Sequence, residues 1–310
     1  MVDARADYDV IIIGGGATGL SAALYATRAM QKTLLLEKVA CGGQILLTDL
    51  IENYPGFPDG VTGPDLAQLY EKQAAKFGTE VKYELVEALR IDQPRKVVVT
   101  SDGEYTAKAI IIATGGEHNK LGVPGEDTYA GKGVSYCATC DGNFFRNQPV
   151  AVVGGGDSAV QEALYLTKMT SKVTVIHRRD QLRASRILQE RAFSNPKLEF
   201  KWNTVVEEVR GNGLMQSLLL KDASTGDPSL FQVPGVFVFI GFHPNTQFLR
   251  SGTLQLDGGG HVITNLRMET NLPGIFAAGD VRAMSDRQLG SAVGDGITAA
   301  LSAYHYITGE

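Results

Sequence analysis

Residues 8–38 carry the pattern that most restricts what this chain can fold into. YDVIII, at 8–13, is a short β-branched run of the kind that fills a buried parallel strand. GGGATG, at 14–19, sets Gly14, Gly16 and Gly19 in G-x-G-x-x-G spacing. The helix-like LSAALYATRAM follows, and TLLLEK then reads as a second strand ending on Glu37. Each part has a physical task. Gly14 permits a tight turn, Gly16 lets backbone approach a pyrophosphate, and Gly19 lets helix and strand pack closely. The helix N-terminus offers free N–H groups to the anion. Glu37, 18 residues after Gly19, can accept from ribose hydroxyls. Together these point to a dinucleotide.

The pattern returns 140 residues later. In PVAVVGGGDSAVQEALYLTKM a strand at 150–153 leads into Gly154, Gly156 and Ala159, a GxGxxA turn. Val160, Ala163, Leu164 and Thr167 then fall on one helical face. The next strand, KVTVIH, runs into HRRD, so the acid expected at its end is displaced. Arg178 and Arg179 come first and Arg183 follows, with Asp180 among them. Guanidinium groups at that place suit a 2′-phosphate, which selects NADP(H) over NAD(H). The competing reading is an ordinary solvated charge run.

Two such turns give two dinucleotide sites, and other glycines cluster in CGGQ, ATGG and AAGD, as backbone held close to a bulky ligand does. The Gly/Pro-rich stretch CGGQILLTDLIENYPGFPDG reads as an ordered ligand loop. AKAIIIATGG and LPGIFAAGD read as returning strands that end in glycine, and SAVGDGITAALSAYHYI as a final helix with small residues for close packing. The expected fold class is therefore α/β, with two Rossmann-like dinucleotide-binding domains, the second inserted into the first. Residues 1–116 and 246–310 form the first, and 117–245 form the insert. GGEHNKLGVPGE and GFHPNTQF are the expected crossings.

At 310 residues, 44% hydrophobic and 20% charged, the chain can bury a sizeable core without staples. A net charge of −5 with no basic block gives nucleic acid no purchase. No apolar run reaches membrane-spanning length, and MVDARADYDV shows no signal-peptide pattern. Three cysteines do not make a secreted disulfide framework, so a reducing, cytoplasmic setting is expected.

Two of those cysteines, Cys137 and Cys140, lie in VSYCATCDGNFF, with Asp141 directly after. A structural zinc site takes four ligands, and only Cys41 and five dispersed histidines remain to supply them. No metal site is expected. Inert core thiols suit an apolar run, whereas CATCDG is small and polar. It reads as a helix start, where a thiol is made more reactive. Asp141 stands where an acid could handle the proton of thiol–disulfide exchange, or could be a surface acid at a helix terminus. Cys41, between other residues of a glycine cluster, reads as a buried structural thiol.

With these residues in place the chain resembles the low-molecular-weight thioredoxin reductases, NADPH-dependent flavoproteins of the disulfide reductase group. GGGATG, GGQ, ENYPGF, ATG, CATCDG, GGGDSA, HRRDQLRAS, PNT, GIFAAGD and RQ occur in the family's order, over nearly the whole chain. A cysteine pair inside the inserted domain is specific to this branch. The resemblance implies FAD in the first domain, held by Gly14, Gly16, Ala17 and Gly19, with Glu37 on its adenosine ribose. Gln44, Asn53 and Thr114 would lie near the flavin, Gly279 and Asp280 at the ribityl chain, and Arg287 and Gln288 at the flavin edge. NADPH would take Gly154, Gly156, Ser158 and Ala159 at its pyrophosphate and Arg178, Arg179 and Arg183 at its 2′-phosphate, with Asp157 and His177 also among its binding residues. The resemblance also implies a homodimer and a thioredoxin or thioredoxin-like partner. In the implied reaction, hydride passes from nicotinamide to flavin, and the flavin reduces a Cys137–Cys140 disulfide through Cys140. Asp141 serves as acid and base, and Cys137 attacks the partner. The inserted domain rotates between the two half-reactions. VRAMSDRQLG departs locally from common members. Two other readings compete: a related flavin disulfide reductase with another donor or partner, and a redox sensor without turnover.

Overall fold

In the computed structural model, residues 6–48, 50–92, 95–249 and 254–310 are described. The first five residues of the MVDARADYDV stretch and Asp49 of the glycine-rich loop lie outside them. YDVIII forms β1 (Tyr8–Ile13), and the turn leads into α1 (Ala17–Arg28) and β2 (Thr33–Glu37). The glycine-rich loop then contains a short 3-10 turn, Gly43–Leu47, which the sequence pattern does not announce. After it come α2 (Gly63–Ala75), β3 (Glu80–Tyr83), β4 (Val86–Asp92), β5 (Arg95–Thr100) and β6 (Glu104–Ile112). β1 sits between β2 and β6, all parallel, with Val10 opposite both Thr33 and Ala109. The first half of β6 pairs antiparallel with β5, Lys96 opposite Ala107.

A short strand, β7 (Gly116–His118), spans the crossing into the insert. Then follow β8 (Val134–Ser135), α3 (Ala138–Asp141), β9 (Pro149–Val153), α4 (Asp157–Leu166), β10 (Lys172–Ile176), α5 (Arg186–Phe193) and β11 (Leu198–Lys201). An antiparallel meander, β12 (Thr204–Asn212), β13 (Leu214–Asp222) and β14 (Pro228–Gln232), precedes β15 (Val236–Val238) and β16 (Phe242–Pro244). The parallel sheet runs β11-β10-β9-β15-β8, and β16 pairs with β7 where the chain crosses back. The chain ends with β17 (Ile275–Ala277), parallel to the second half of β6, and with α6 (Leu289–Thr308).

Two compact units result: one runs to Glu117 and resumes from His243 to Glu310, and the other is His118–Phe242. The β-branched runs are buried on both faces because each sheet is covered on both. In the first unit Val10 and Ile12 pack with Leu20, Ala23 and Ala26 of α1 and Ala299, Ala300 and Ala303 of α6. Ile11 and Ile13 pack on the other face with Leu89, Val98 and Val262. In the second, Val150 and Val152 meet Ala159, Ala163 and Leu166 of α4, while Ala151 and Val153 meet Val206, Val209 and Leu218 of the meander. The small residues of α6 bring it onto α1: a Cβ on Gly296 would stand 2.2 Å from the Thr18 carbonyl oxygen.

Candidate functional site

The first glycine turn is built by close approach. Gly14 has φ +106°, and a Cβ there would lie 2.4 Å from the Ala113 carbonyl oxygen. A Cβ on Gly19 would lie 1.8 Å from the Gly14 carbonyl oxygen. Gly16 differs: nothing stands within 4 Å of its Cβ position. Gly16 is also the N-cap of α1, and no side chain caps the helix. Open space in front of uncapped helix N–H groups, beginning at Ala17, is the cradle a pyrophosphate fits. The two glycines therefore predict opposite outcomes. Gly19→Ala overpacks the helix–strand contact and costs about 1–3 kcal/mol or more, read as a lower melting midpoint. Gly16→Ala leaves that packing intact, so the variant stripped of ligand melts within about 0.5 kcal/mol of the equally stripped parent, yet it retains a dinucleotide less tightly, read as nucleotide absorbance lost on dialysis.

Glu37 closes the turn at the end of β2. Its Oε2 accepts from Gly15 N at 2.7 Å, and Oε1 from Lys38 N at 2.8 Å. Gly42 N donates to Gly15 O at 2.8 Å, so the glycine-rich loop lies along the turn. In that loop Gln44 donates from Nε2 to Gly116 O at 3.2 Å. Thr114 Oγ1 donates to Asn245 O at 2.8 Å, and Asn245 Nδ2 returns a bond to Thr114 O at 3.0 Å. Asn53 Nδ2 meets Gln288 Oε1 at 3.4 Å. Gly279, at φ +74°, passes so close to Thr18 that a Cβ would stand 2.3 Å from its hydroxyl. Asp280 follows, its Oδ1 accepting from Ser285 Oγ at 2.9 Å, and burial pushes its pKa up. Arg287 acts on that carboxyl with the opposite sign. Glu37 and Thr114 thus border the turn, Gly279 brings the Asp280 segment onto Thr18 of its helix, and Asn53 and Gln288 meet each other within the same unit.

The second turn repeats the construction. Gly154, at φ +149°, would place a Cβ 2.4 Å from the Phe239 carbonyl oxygen, whereas Gly156 is open. Gly156 is the N-cap of α4, again without a side-chain cap, and Asp157, Ser158 and Ala159 form its first turn. The segment after β10 folds back onto this turn. Arg183 N and Ala184 N both donate to Gly155 O, at 2.7 and 3.1 Å, and Ser185 N donates to Asp157 Oδ1 at 2.6 Å. Arg178, Arg179 and Arg183 are exposed beside it. His177 is buried, 5% exposed, and its ring packs against Gly155, where a Cβ would meet Cε1 at 2.3 Å. Burial holds its pKa below the usual imidazole value, and the nearby arginines add to that.

Cys137 and Cys140 are joined as a disulfide. Each sulfur is therefore bonded to the other, and among the described residues no group of three or more His, Cys, Asp or Glu could hold a metal ion. Cys137 is the N-cap of α3, and its Sγ accepts from Cys140 N at 3.2 Å. Asp141 N donates to Cys137 O at 3.1 Å, and Asp141 Oδ2 accepts from Ser135 Oγ at 2.6 Å. Cys41 is a free, buried thiol beneath the first turn. Its pKa is pushed up to about 11, first by burial and then by the Glu71 charge. A thiol in that state is a poor nucleophile at neutral pH. After dithiothreitol treatment, iodoacetamide is expected to label Cys137 and Cys140 in the native protein and Cys41 only after unfolding, as peptide mass mapping would show.

Three structural partners were not visible in the motifs. Asp295, 8% exposed on α6, accepts from Gly279 N at 3.1 Å and holds Arg282 through two bonds of 2.6 and 3.1 Å. The pair staples the turn that carries Asp280. A lone acid among glycines and alanines in GDGITAAL was the available signal. Asn245 in PNT and Ser135 before the cysteines carried no signal of their own, since each acts through a contact made by the fold.

A family model for pyridine nucleotide-disulphide oxidoreductases matches residues 8–300. The thioredoxin reductase of Treponema pallidum is 49% identical over 301 residues, 97% of each chain. That of Bacillus subtilis is 48% identical over 302 residues, 97% of this chain and 95% of its own. The crystal structure of thioredoxin reductase from Streptococcus pyogenes superposes with a TM-score of 0.95 at 47% identity, covering 98% of this chain and 99% of that one. The Lactococcus lactis thioredoxin reductase in its FR conformation has 46% identity and a TM-score of 0.66, covering 98% and 100%.

Proposed function

The chain belongs to the pyridine nucleotide-disulphide oxidoreductases and, within them, to the low-molecular-weight thioredoxin reductases, and from that premise we propose how its residues divide the work. It is a flavoenzyme that uses FAD and NADPH to reduce the disulfide of thioredoxin through Cys137 and Cys140. The observation that carries the reading is the disulfide itself, with the Asp141 carboxyl beside it.

We assign FAD to the first unit and NADPH to the insert. The open spaces at Gly16 and Gly156 suit two pyrophosphates, and the arginines beside the second suit a 2′-phosphate. When bound, NADPH supplies a hydride and FAD conveys its two electrons to the disulfide. Opening that disulfide to two thiols takes two electrons and two protons. Electrons delivered at the Cys140 sulfur would leave the bonding pair on Cys137. There the Cys140 N–H, 3.2 Å away, meets the charge. Asp141 holds and returns a proton as the thiols form and are spent. The Cys137 thiolate then attacks the thioredoxin disulfide, expelling one thioredoxin thiolate, and Cys140 attacks Cys137 Sγ in the mixed disulfide, expelling the second. The enzyme recovers its own disulfide, and thioredoxin leaves with two thiols.

Rotation of the insert between half-reactions is supported by the relatives. The Lactococcus lactis thioredoxin reductase is described in an FR conformation, one state of an enzyme that changes its arrangement during turnover. The resemblance also supports a homodimer and a cytoplasmic setting, which suits a dithiol that must stay reducible. Among the described residues, no helix is long and apolar enough to cross a membrane. A reductase served by another donor would have no use for an open turn at Gly156 flanked by three arginines.

The test is direct. Purified protein with NADPH and oxidised thioredoxin should consume one NADPH for every two thiols produced. NADPH consumption without thiol, or no consumption, would overturn the reading.

A further inference from the structure

Ser135 ends β8, which is held in the parallel sheet by β15, Ser135 opposite Phe237. It is 5% exposed. Its hydroxyl has three polar neighbours: Asp141 Oδ2 at 2.6 Å, Cys137 N at 3.1 Å and Cys137 O at 3.2 Å. A hydroxyl has one proton to give. The carboxylate oxygen stands in the range of charge-assisted O–H···O bonds, while the carbonyl lies beyond the usual O–H···O distance. The proton therefore points to Asp141, and the lone pairs accept from Cys137 N. A directed chain results, from the Cys137 N–H to the Ser135 hydroxyl to the Asp141 carboxyl. The Asp141 N–H, donated to Cys137 O at 3.1 Å, closes it into a ring. The acid and the first cysteine are thereby fastened to each other and, through Ser135, to a rigid strand.

We propose that Ser135 is a positioning residue for proton transfer at the redox pair, its hydroxyl fixing the Asp141 carboxyl beside Cys137 and biasing which protonation state it adopts. This rests on the acid/base reading of Asp141. A hydrogen bond donated to a carboxylate favours its charged form. Removing the donor moves every part of the pH profile that reports Asp141 to higher pH. Threonine keeps the hydroxyl, and alanine removes it.

The experiment is single-turnover reduction of oxidised thioredoxin by NADPH-reduced holoenzyme, measured across pH. The variants are Ser135→Ala, Ser135→Thr, Asp141→Asn and the Ser135→Ala/Asp141→Asn double, with melting midpoints recorded for each. Ser135→Ala is expected to slow the step by about tenfold or more, the scale of one hydrogen bond to a charged group, with the thioredoxin concentration that gives half the limiting rate unchanged. Its profile moves to higher pH, Ser135→Thr restores the parent profile, and Ser135→Ala adds less than about twofold in the Asp141→Asn background, as residues acting through one another do. An unmoved profile in Ser135→Ala overturns the proposal, as does a threonine variant that behaves like alanine. An equal loss in both backgrounds also overturns it, because Ser135 would then act through the Cys137 N–H alone. If Asp141→Asn itself leaves the rate and profile unchanged, the acid/base reading of Asp141 fails first, and the proposal with it.

Discussion

Cys140→Ser is expected to lose thioredoxin reduction by at least about 10³-fold, the scale on which removal of a covalent catalytic group registers. NADPH should still bleach the visible flavin absorbance of the same protein. The two halves separate because they use different residues. On the proposed assignment, hydride delivery uses the cradles at Gly16 and Gly156 and the arginines, none of which the substitution touches. Delivery of electrons to thioredoxin needs a disulfide that can open and re-form, and one sulfur cannot do that. The substitution keeps the backbone N–H from which Cys137 Sγ accepts at 3.2 Å, so Cys137 stays in its N-cap position. The loss would then come from the missing sulfur and not from a displaced loop. Stopped-flow absorbance with NADPH alone, followed by thiol titration with oxidised thioredoxin, reads both halves. Residual thioredoxin reduction above about 0.1 per cent of the parent, by the same measure of catalytic-group loss, would show that electrons reach the partner by another path.

The parts legible in the sequence were those with local causes. Gly14 and Gly154 sit at turns that need positive φ, and their spacing to Gly19 and Ala159 announces helices packed onto strands. The alternating faces of β1 and β9 are buried on both sides, so they appear as unbroken apolar runs. The helix start at the cysteine pair was legible for a similar reason, small polar residues around a capping side chain. What escaped was made by contacts between distant segments. The Asp295–Arg282 pair joins residues from α6 and from the turn after β17, and neither one's neighbours in sequence announce it. Ser135 looks like any strand serine until the α3 turn brings Asp141 back to it. His177 was read as part of a charged motif, yet it is buried behind Gly155 with no hydrogen-bond partner on Nε2. Its effect on the site comes from what it displaces.

That displacement underlies the second large expectation, that neutralising Arg178 and Arg179 removes the preference for NADPH. The two turns can be compared position by position. In the first, β2 ends on Glu37, whose carboxylate accepts from Gly15 N at 2.7 Å. In the second, β10 ends where the His177 ring packs on Gly155, the matching glycine. A carboxylate there would repel a phosphate dianion. An imidazole whose pKa burial and arginines push down stays neutral and does not. Arg183 N and Ser185 N tie the following segment to Gly155 O and Asp157 Oδ1, which keeps the three guanidinium groups close to the turn. Those groups are exposed, so each bond to phosphate is set at the low end for a charged pair, about 1.5 kcal/mol. Losing two amounts to about 3 kcal/mol, or a rise of about a hundredfold in the KM for NADPH. NADH has no 2′-phosphate to lose, so its KM should change by less than about threefold, the residue being general attraction for a polyanion. Steady-state kinetics of Arg178→Gln/Arg179→Gln with both nucleotides measure the ratio. Equal losses for the two would mean that the arginines attract any nucleotide through their charge alone. The effect would then fade with added salt for NADPH and NADH alike. A selective loss that survives moderate salt would mean directed bonds to the 2′-phosphate, made possible by a strand end where a neutral ring takes the place of an acid.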